Sequence, residues 1–167
     1  RIEFLKSADY HKRDPDLIRV LHEKVIDEYR LTYEFKETIE YLSKSNGNFN
    51  IILRPHPNEN IEPWKIYLNG LPNVYVIKEG SIDMWLHNSF AVMHNGCTTA
   101  YQAIISNKPL ITYIPFELKH ENKLPNELGH IVSNKQDLLE LMNKLLKNNL
   151  PENKGNSKKI FDKIYID

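Results

Sequence analysis

Cysteine occurs once in the 167 residues, at Cys97. A lone thiol excludes an internal disulfide framework and a cysteine-rich zinc site, and it points to a reducing, intracellular compartment. Charge of one sign is also missing: 22 Lys+Arg meet 22 Asp+Glu, a formal net charge of zero. That balance argues against non-specific nucleic-acid binding, which carries a basic excess. No apolar run approaches the roughly 18–20 residues that span a bilayer. The chain opens at Arg1 without the basic-then-apolar pattern of a signal peptide. G-x-S-x-G, Walker and G-x-G-x-x-G patterns are absent, which removes several common enzyme classes. What is present is ample apolar material: hydrophobic residues make up 41%, enough for a core and too many for wholesale disorder. The length suits one domain.

The first third reads as helical. Asp14-Pro15-Asp16 makes a helix start, and Leu17, Val20, Leu21 and Val25 follow at helical spacing, then Tyr33, Ile39, Tyr41 and Leu42. One bent helix or two both fit, and Ser45-Asn46-Gly47-Asn48 ends the stretch with turn chemistry. The rhythm then changes. Short runs at Phe49–Leu53, Val74–Ile77, Phe90–Met93 and Leu110–Ile114 suit strands buried on both faces. Helical stretches Ser81–Asn88 and Thr98–Ser106 lie between them, and a leucine-rich helix at Gln136–Lys147 closes the body. Strands alternating with helices predict an α/β fold, a Rossmann-like parallel sheet flanked by helices. The expected organisation is a helical lead-in over 1–48, with Ile2–Leu5 as a residual first strand, a Rossmann-like domain over 49–150, and a polar tail over 151–167.

Ligands in such sheets bind beyond the carboxyl ends of the strands. The first loop there reads Arg54-Pro55-His56-Pro57-Asn58-Glu59-Asn60. Two prolines hold the His56 backbone, and Arg54 adds a permanent cation with a bidentate donor. Rigid donors at a strand end suit an anion such as phosphate; the plainer reading is a proline-stiffened turn with a surface histidine. The second loop reads His94-Asn95-Gly96-Cys97-Thr98-Thr99. Gly96 allows a tight turn, and free N–H groups with two hydroxyls at a helix start suit an anion, although a threonine also caps helices that bind nothing. The two loops are expected to face one cleft. In a third, Lys78-Glu79-Gly80-Ser81, Ser81 reads as an N-cap and Gly80 eases the turn. Trp64 and Trp85 read as packing residues. His56, His87, His94 and Cys97 lack compact ligand spacing, so no metal is expected.

Arg54-Pro-His-Pro-Asn-Glu-Asn60, Trp64, Asn73-Val74, Gly80, Trp85-Leu86, His94-Asn-Gly-Cys-Thr-Thr99 and Lys108-Pro109 together resemble bacterial surface carbohydrate biosynthesis proteins. These belong to the GT-B-type glycosyltransferases, and the resemblance covers roughly residues 35–147. The His-Pro pair and the hydroxyl pair are also similar to bacterial sialyltransferases and Kdo transferases, where a histidine and paired Ser/Thr residues hold the phosphate of a CMP-sugar. The resemblance implies one half of a GT-B fold, a carboxyl-terminal donor-binding domain. It implies that Arg54, His56, Gly80, Asn95, Gly96, Cys97, Thr98 and Thr99 contact nucleotide phosphate, and that Glu59 or Gln102 touches ribose or sugar. The nucleotide-sugar would be substrate, with no cofactor and no metal. The surface-glycan acceptor and the general base would belong to an amino-terminal domain preceding Arg1, so the fragment alone would transfer nothing. The setting implied is cytoplasmic, or peripheral at the inner face of the membrane.

The chain departs from the family in carrying Ala100 and Gln102 where glycine and glutamate are usual. A glutamine still hydrogen-bonds a hydroxyl, without the charge-assisted component. Asn107 replaces a usual glycine, in a helix C-cap role open to asparagine. Two other readings remain. One is a UDP-N-acetylglucosamine 2-epimerase-like isomerase, whose Ser-Gly-Gly-x-Gln-Glu run this chain lacks. The other is a non-catalytic nucleotide-binding or assembly module.

Overall fold

Pro15 occupies the first turn of a single helix, where its missing N–H costs nothing. The computed structural model describes residues 15–45, 48–120 and 122–147; Ile2–Leu5, the Asn46-Gly47 turn and the 151–167 tail lie outside them. Helix α1 runs unbroken over Pro15–Ser43, so the stretch from Leu17 to Leu42 is one helix and not two. Short elements then alternate: β1 (Ile51–Leu53), α2 (Glu62–Tyr67), β2 (Val74–Val76), α3 (Ile82–Asn88), β3 (Val92–His94), α4 (Thr99–Ile105), β4 (Leu110–Tyr113), α5 (Lys123–Asn126), β5 (His130–Val132) and α6 (Lys135–Leu146). The four expected strands are present, three of them trimmed and the third shifted to Val92–His94, so that His94 ends the strand instead of opening the loop. The sequence reading passed over α2, α5 and β5 because each is too short to establish a period.

All pairings are parallel. β1 pairs β2 (Ile51 with Val74, Leu53 with Val76), and β4 lies between β3 and β5 (His94 with Thr112, Thr112 with Ile131). The strands thus form a two-stranded and a three-stranded sheet. With helices on their faces they make a Rossmann-like α/β fold.

Strand alternation assigns the layers. Leu110 of β4 packs with Val92 against Leu86 of α3 and Ala100, Ala103 and Ile104 of α4. Ile111 and Tyr113, on the opposite face, pack against Leu42 of α1 and Leu138 and Leu145 of α6. Ile51, Leu53, Val74 and Val76 pack against Ile39 of α1 and Trp64 of α2. Helix α1 therefore lies across both sheets. Its Phe35 meets Tyr113 edge-on at 5.5 Å between ring centroids, and the buried Thr38 hydroxyl bonds the Tyr113 hydroxyl at 2.9 Å. Burying each such large side chain stabilises the fold by about 1.5–3 kcal/mol.

Two helix ends behave as their residues require. Ser81 caps α3 by accepting from the Met84 N–H at 3.3 Å. Asn107 stands just past α4 at φ +53°, its N–H reaching Ile104 O while the Lys108 N–H reaches Ala103 O. That pair of bonds is a Schellman motif with asparagine in the left-handed position.

Candidate functional site

The Arg54–Asn60 loop leaves the carboxyl end of β1, and its own side chains build it. Glu59 accepts the His56 backbone N–H through Oε2 at 3.1 Å and the Trp64 indole N–H through Oε1 at 2.8 Å. The Lys78 ammonium adds a bond to the Glu59 carbonyl at 2.8 Å. The Asn58 backbone N–H donates to His56 Nδ1 at 3.2 Å. A ring nitrogen that accepts carries no proton, so neutral His56 holds its proton on Nε2. The exposed imidazole therefore presents an Nε2–H donor from a loop stiffened by Pro55 and Pro57.

The Arg54 guanidinium is engaged within the loops. Nη1 donates to Glu79 O at 2.6 Å, and Nη2 to Gly80 O at 3.0 Å and Lys78 O at 3.3 Å. The guanidinium also lies 5.6 Å from the centroid of the Trp85 ring, whose indole N–H donates to Glu79 O. It thus clamps the loop that follows β2 onto the loop that follows β1. Gly80 makes this possible at φ +78°, where an added Cβ would come within 2.6 Å of Met84 Cε. The Glu79 carboxyl is held below the usual carboxylate range by backbone N–H groups of its own residue and of Lys78, with smaller help from the Lys65 and Arg54 charges.

The second loop leaves β3 and has separate supports. Asn95 Nδ2 donates to Tyr113 O at 2.7 Å. Gly96, at φ +59°, is held by both peptide groups: its N–H reaches Asn126 Oδ1 at 2.6 Å, and its carbonyl accepts from Asn122 Nδ2 at 3.2 Å. The Cys97 thiol donates to Thr99 Oγ1 at 3.2 Å. Thr98 stands at the N-cap of α4 in helical conformation and makes no side-chain capping bond. Half-buried Gln102 lies one turn into α4.

His94, at the end of β3, is only 5% exposed. The Thr112 hydroxyl donates its proton to Leu128 O. It must therefore accept from His94 Nε2–H, across 2.9 Å. His94 Nδ1 is then a buried lone pair with no hydrogen-bond partner among the described residues. Burial lowers the pKa of this imidazole from 6.5 to about 4.

The structure thus gathers the predicted residues into two groups. Arg54, His56, Glu59 and Gly80 share one network with Trp64, Lys78 and Trp85, whereas in the other loop Tyr113, Asn122 and Asn126 hold Asn95 and Gly96, Cys97 bonds Thr99, and Thr98 stands beside them at the start of α4. Each network sits at the carboxyl ends of its own sheet. The sequence reading missed Asn122 and Asn126; their i, i+4 spacing on a short polar segment was the sole signal. Among the described residues no cluster of three or more His, Cys, Asp or Glu is placed to hold a metal ion, and no helix is long and apolar enough to cross a membrane. Comparisons with protein-family models, with curated proteins and with solved structures return no match for this chain.

Proposed function

We propose that this chain is the nucleotide-sugar-binding half of a glycosyltransferase that builds surface polysaccharide. The observation that carries the reading is His56: an exposed imidazole at a strand's carboxyl end, its Nδ1 occupied by the Asn58 N–H and its Nε2–H without a partner among the described residues. In the proposed reaction an acceptor hydroxyl displaces the nucleotide from the anomeric carbon. Negative charge builds on the departing phosphate as that bond breaks, and His56 Nε2–H together with the Cys97–Thr99 backbone stabilises it. Arg54 and Glu59 act as positioning residues, since their polar atoms brace the loops that carry His56 and Gly80. The acceptor and its general base come from outside this chain, because the loops described supply only the leaving-group end.

Titrating the chain with CMP, UDP and inorganic phosphate tests the reading. Nucleotide should shift amide signals near His56, Gly80 and Thr98, and His56→Ala should weaken binding by about 1.5–3 kcal/mol, as for a charge-assisted hydrogen bond. Unchanged affinity in calorimetry returns His56 to a surface turn. The second reading is a non-catalytic nucleotide-binding module, favoured by the engagement of Arg54 and Glu59 in loop structure. It requires nucleotide binding without sugar transfer when the complete protein is given donor and acceptor.

A further inference from the structure

Gly96 joins two peptide groups, and a different asparagine grips each. Its N–H belongs to the peptide shared with Asn95 and is held by Asn126 Oδ1. Its carbonyl belongs to the peptide shared with Cys97 and is held by Asn122 Nδ2. Glycine has the freest backbone of any residue, so Gly96 itself fixes neither plane. The two grips have different foundations. Asn126 is buried beside the fully buried Pro125, and Leu128, two residues on, lies in the core with Leu110. Asn122 is exposed and opens α5, a helix of 4 residues, too short to hold itself in place.

The chain that leads to Asn122 is tied to α1 instead. From Tyr113 it runs back along that helix, toward the amino end. Thr38 bonds Tyr113, and the Arg30 guanidinium lies 4.0 Å from the centroid of the Phe116 ring. Asp27 Oδ2 accepts the Lys119 N–H at 3.0 Å, and Glu23 Oε2 lies 2.8 Å from His120 Nε2. Residues 23, 27 and 30 stand about one turn apart on a single face of α1. Asp27 is only 8% exposed, an unusual depth for a carboxylate, and it is spent on the backbone of an irregular segment.

We propose that α1 sets the Gly96–Cys97 peptide through this connection, with Asp27 and Asn122 as positioning residues. Asn126 sets the preceding peptide from the core, so the two torsions of Gly96 are fixed from two independent sides. On the phosphate reading above, Asp27 and Asn122 thereby place the Cys97–Thr99 backbone. The bracing is read without any ligand, so the two claims fail separately.

The test uses the full chain, and Cys97, its sole cysteine, is the reporter. Iodoacetamide should alkylate Cys97 about tenfold faster in Asp27→Leu and in Asn122→Ala than in the wild type, with the Cys97 amide signal displaced. The Gly96 amide, held by Asn126, should keep its exchange rate, which a general loosening would not allow. Asp27→Asn keeps an oxygen to accept the Lys119 N–H and should restore the wild-type rate. If Asp27→Leu does not fold, Arg30→Gln takes its place with the same expected rise, because it lifts the stacking on Phe116 from an exposed position. A wild-type alkylation rate in the folded α1 variant, or in Asn122→Ala, overturns the proposal. So does a rate in Asp27→Asn as fast as that in Asp27→Leu, or Gly96 exchange that rises in step with alkylation.

Discussion

Acid should weaken this fold well before its carboxylates protonate, and His94 is the reason. Its imidazole is buried, neutral and proton-bearing on Nε2, with burial alone lowering the pKa from 6.5 to about 4. The unfolded chain regains the ordinary value and so binds a proton more readily than the folded one. The stability contributed is complete above pH 6.5, declines as the pH falls toward 4, and is lost below that. A displacement of this size corresponds to about 3 kcal/mol over the whole window, and about 2 kcal/mol of it is gone by pH 5. A domain with 5–15 kcal/mol of stability would register that plainly. Urea unfolding at pH 7.5, 6.5, 5.5 and 4.5 should be compared between the wild type and His94→Gln, whose amide can still donate to Thr112. The variant removes the titration and retains a donor, while the carboxylates remain common to both proteins. The wild type should lose more stability than the variant across that range. Parallel curves would refute the claim that His94 is held neutral by burial.

Gly129→Ala should be the most damaging single methyl in the described residues, because a Cβ there would stand 2.5 Å from Leu110 O at φ +77°. A loss above about 3 kcal/mol in chemical denaturation is expected, and a loss under about 1 kcal/mol would contradict the close approach. Arg54→Met should speed amide exchange across Lys78–Gly80 and cost about 1–3 kcal/mol of stability, since Lys78 O and Gly80 O lose their guanidinium donor and Glu79 O keeps only the Trp85 indole N–H. An unchanged loop would show that Arg54 is available for other work. Cys97→Ser should preserve both stability and nucleotide binding, because a serine hydroxyl can replace the thiol as donor to Thr99; loss of binding in a folded variant would make the sulfur itself essential.

Local chemistry decided much of this protein in advance. The alternation of apolar runs with helical spacings made the parallel α/β class legible, and Ser81 and Asn107 declared their capping roles through backbone preferences that operate within a few residues. Even the unbroken length of α1 was the choice between only two options. Tertiary structure alone decided how the polar side chains are used. The partners of Arg54, the carbonyls of residues 78–80, lie about two dozen residues downstream and become neighbours only when β1 pairs with β2. The bond from the Trp64 indole to Glu59 likewise exists only once α2 folds back onto the loop. The His94 tautomer depends on Thr112, across a ladder, and on Leu128 beyond that. Asn122 and Asn126 hold Gly96 only because β4 delivers them to the same end of the sheet as β3. Periodicity and turn preference act over one or two turns of chain, so sequence carries them openly. The pairing of a donor with an acceptor depends on strand register and on which groups burial has deprived of water, and those exist only in the assembled fold.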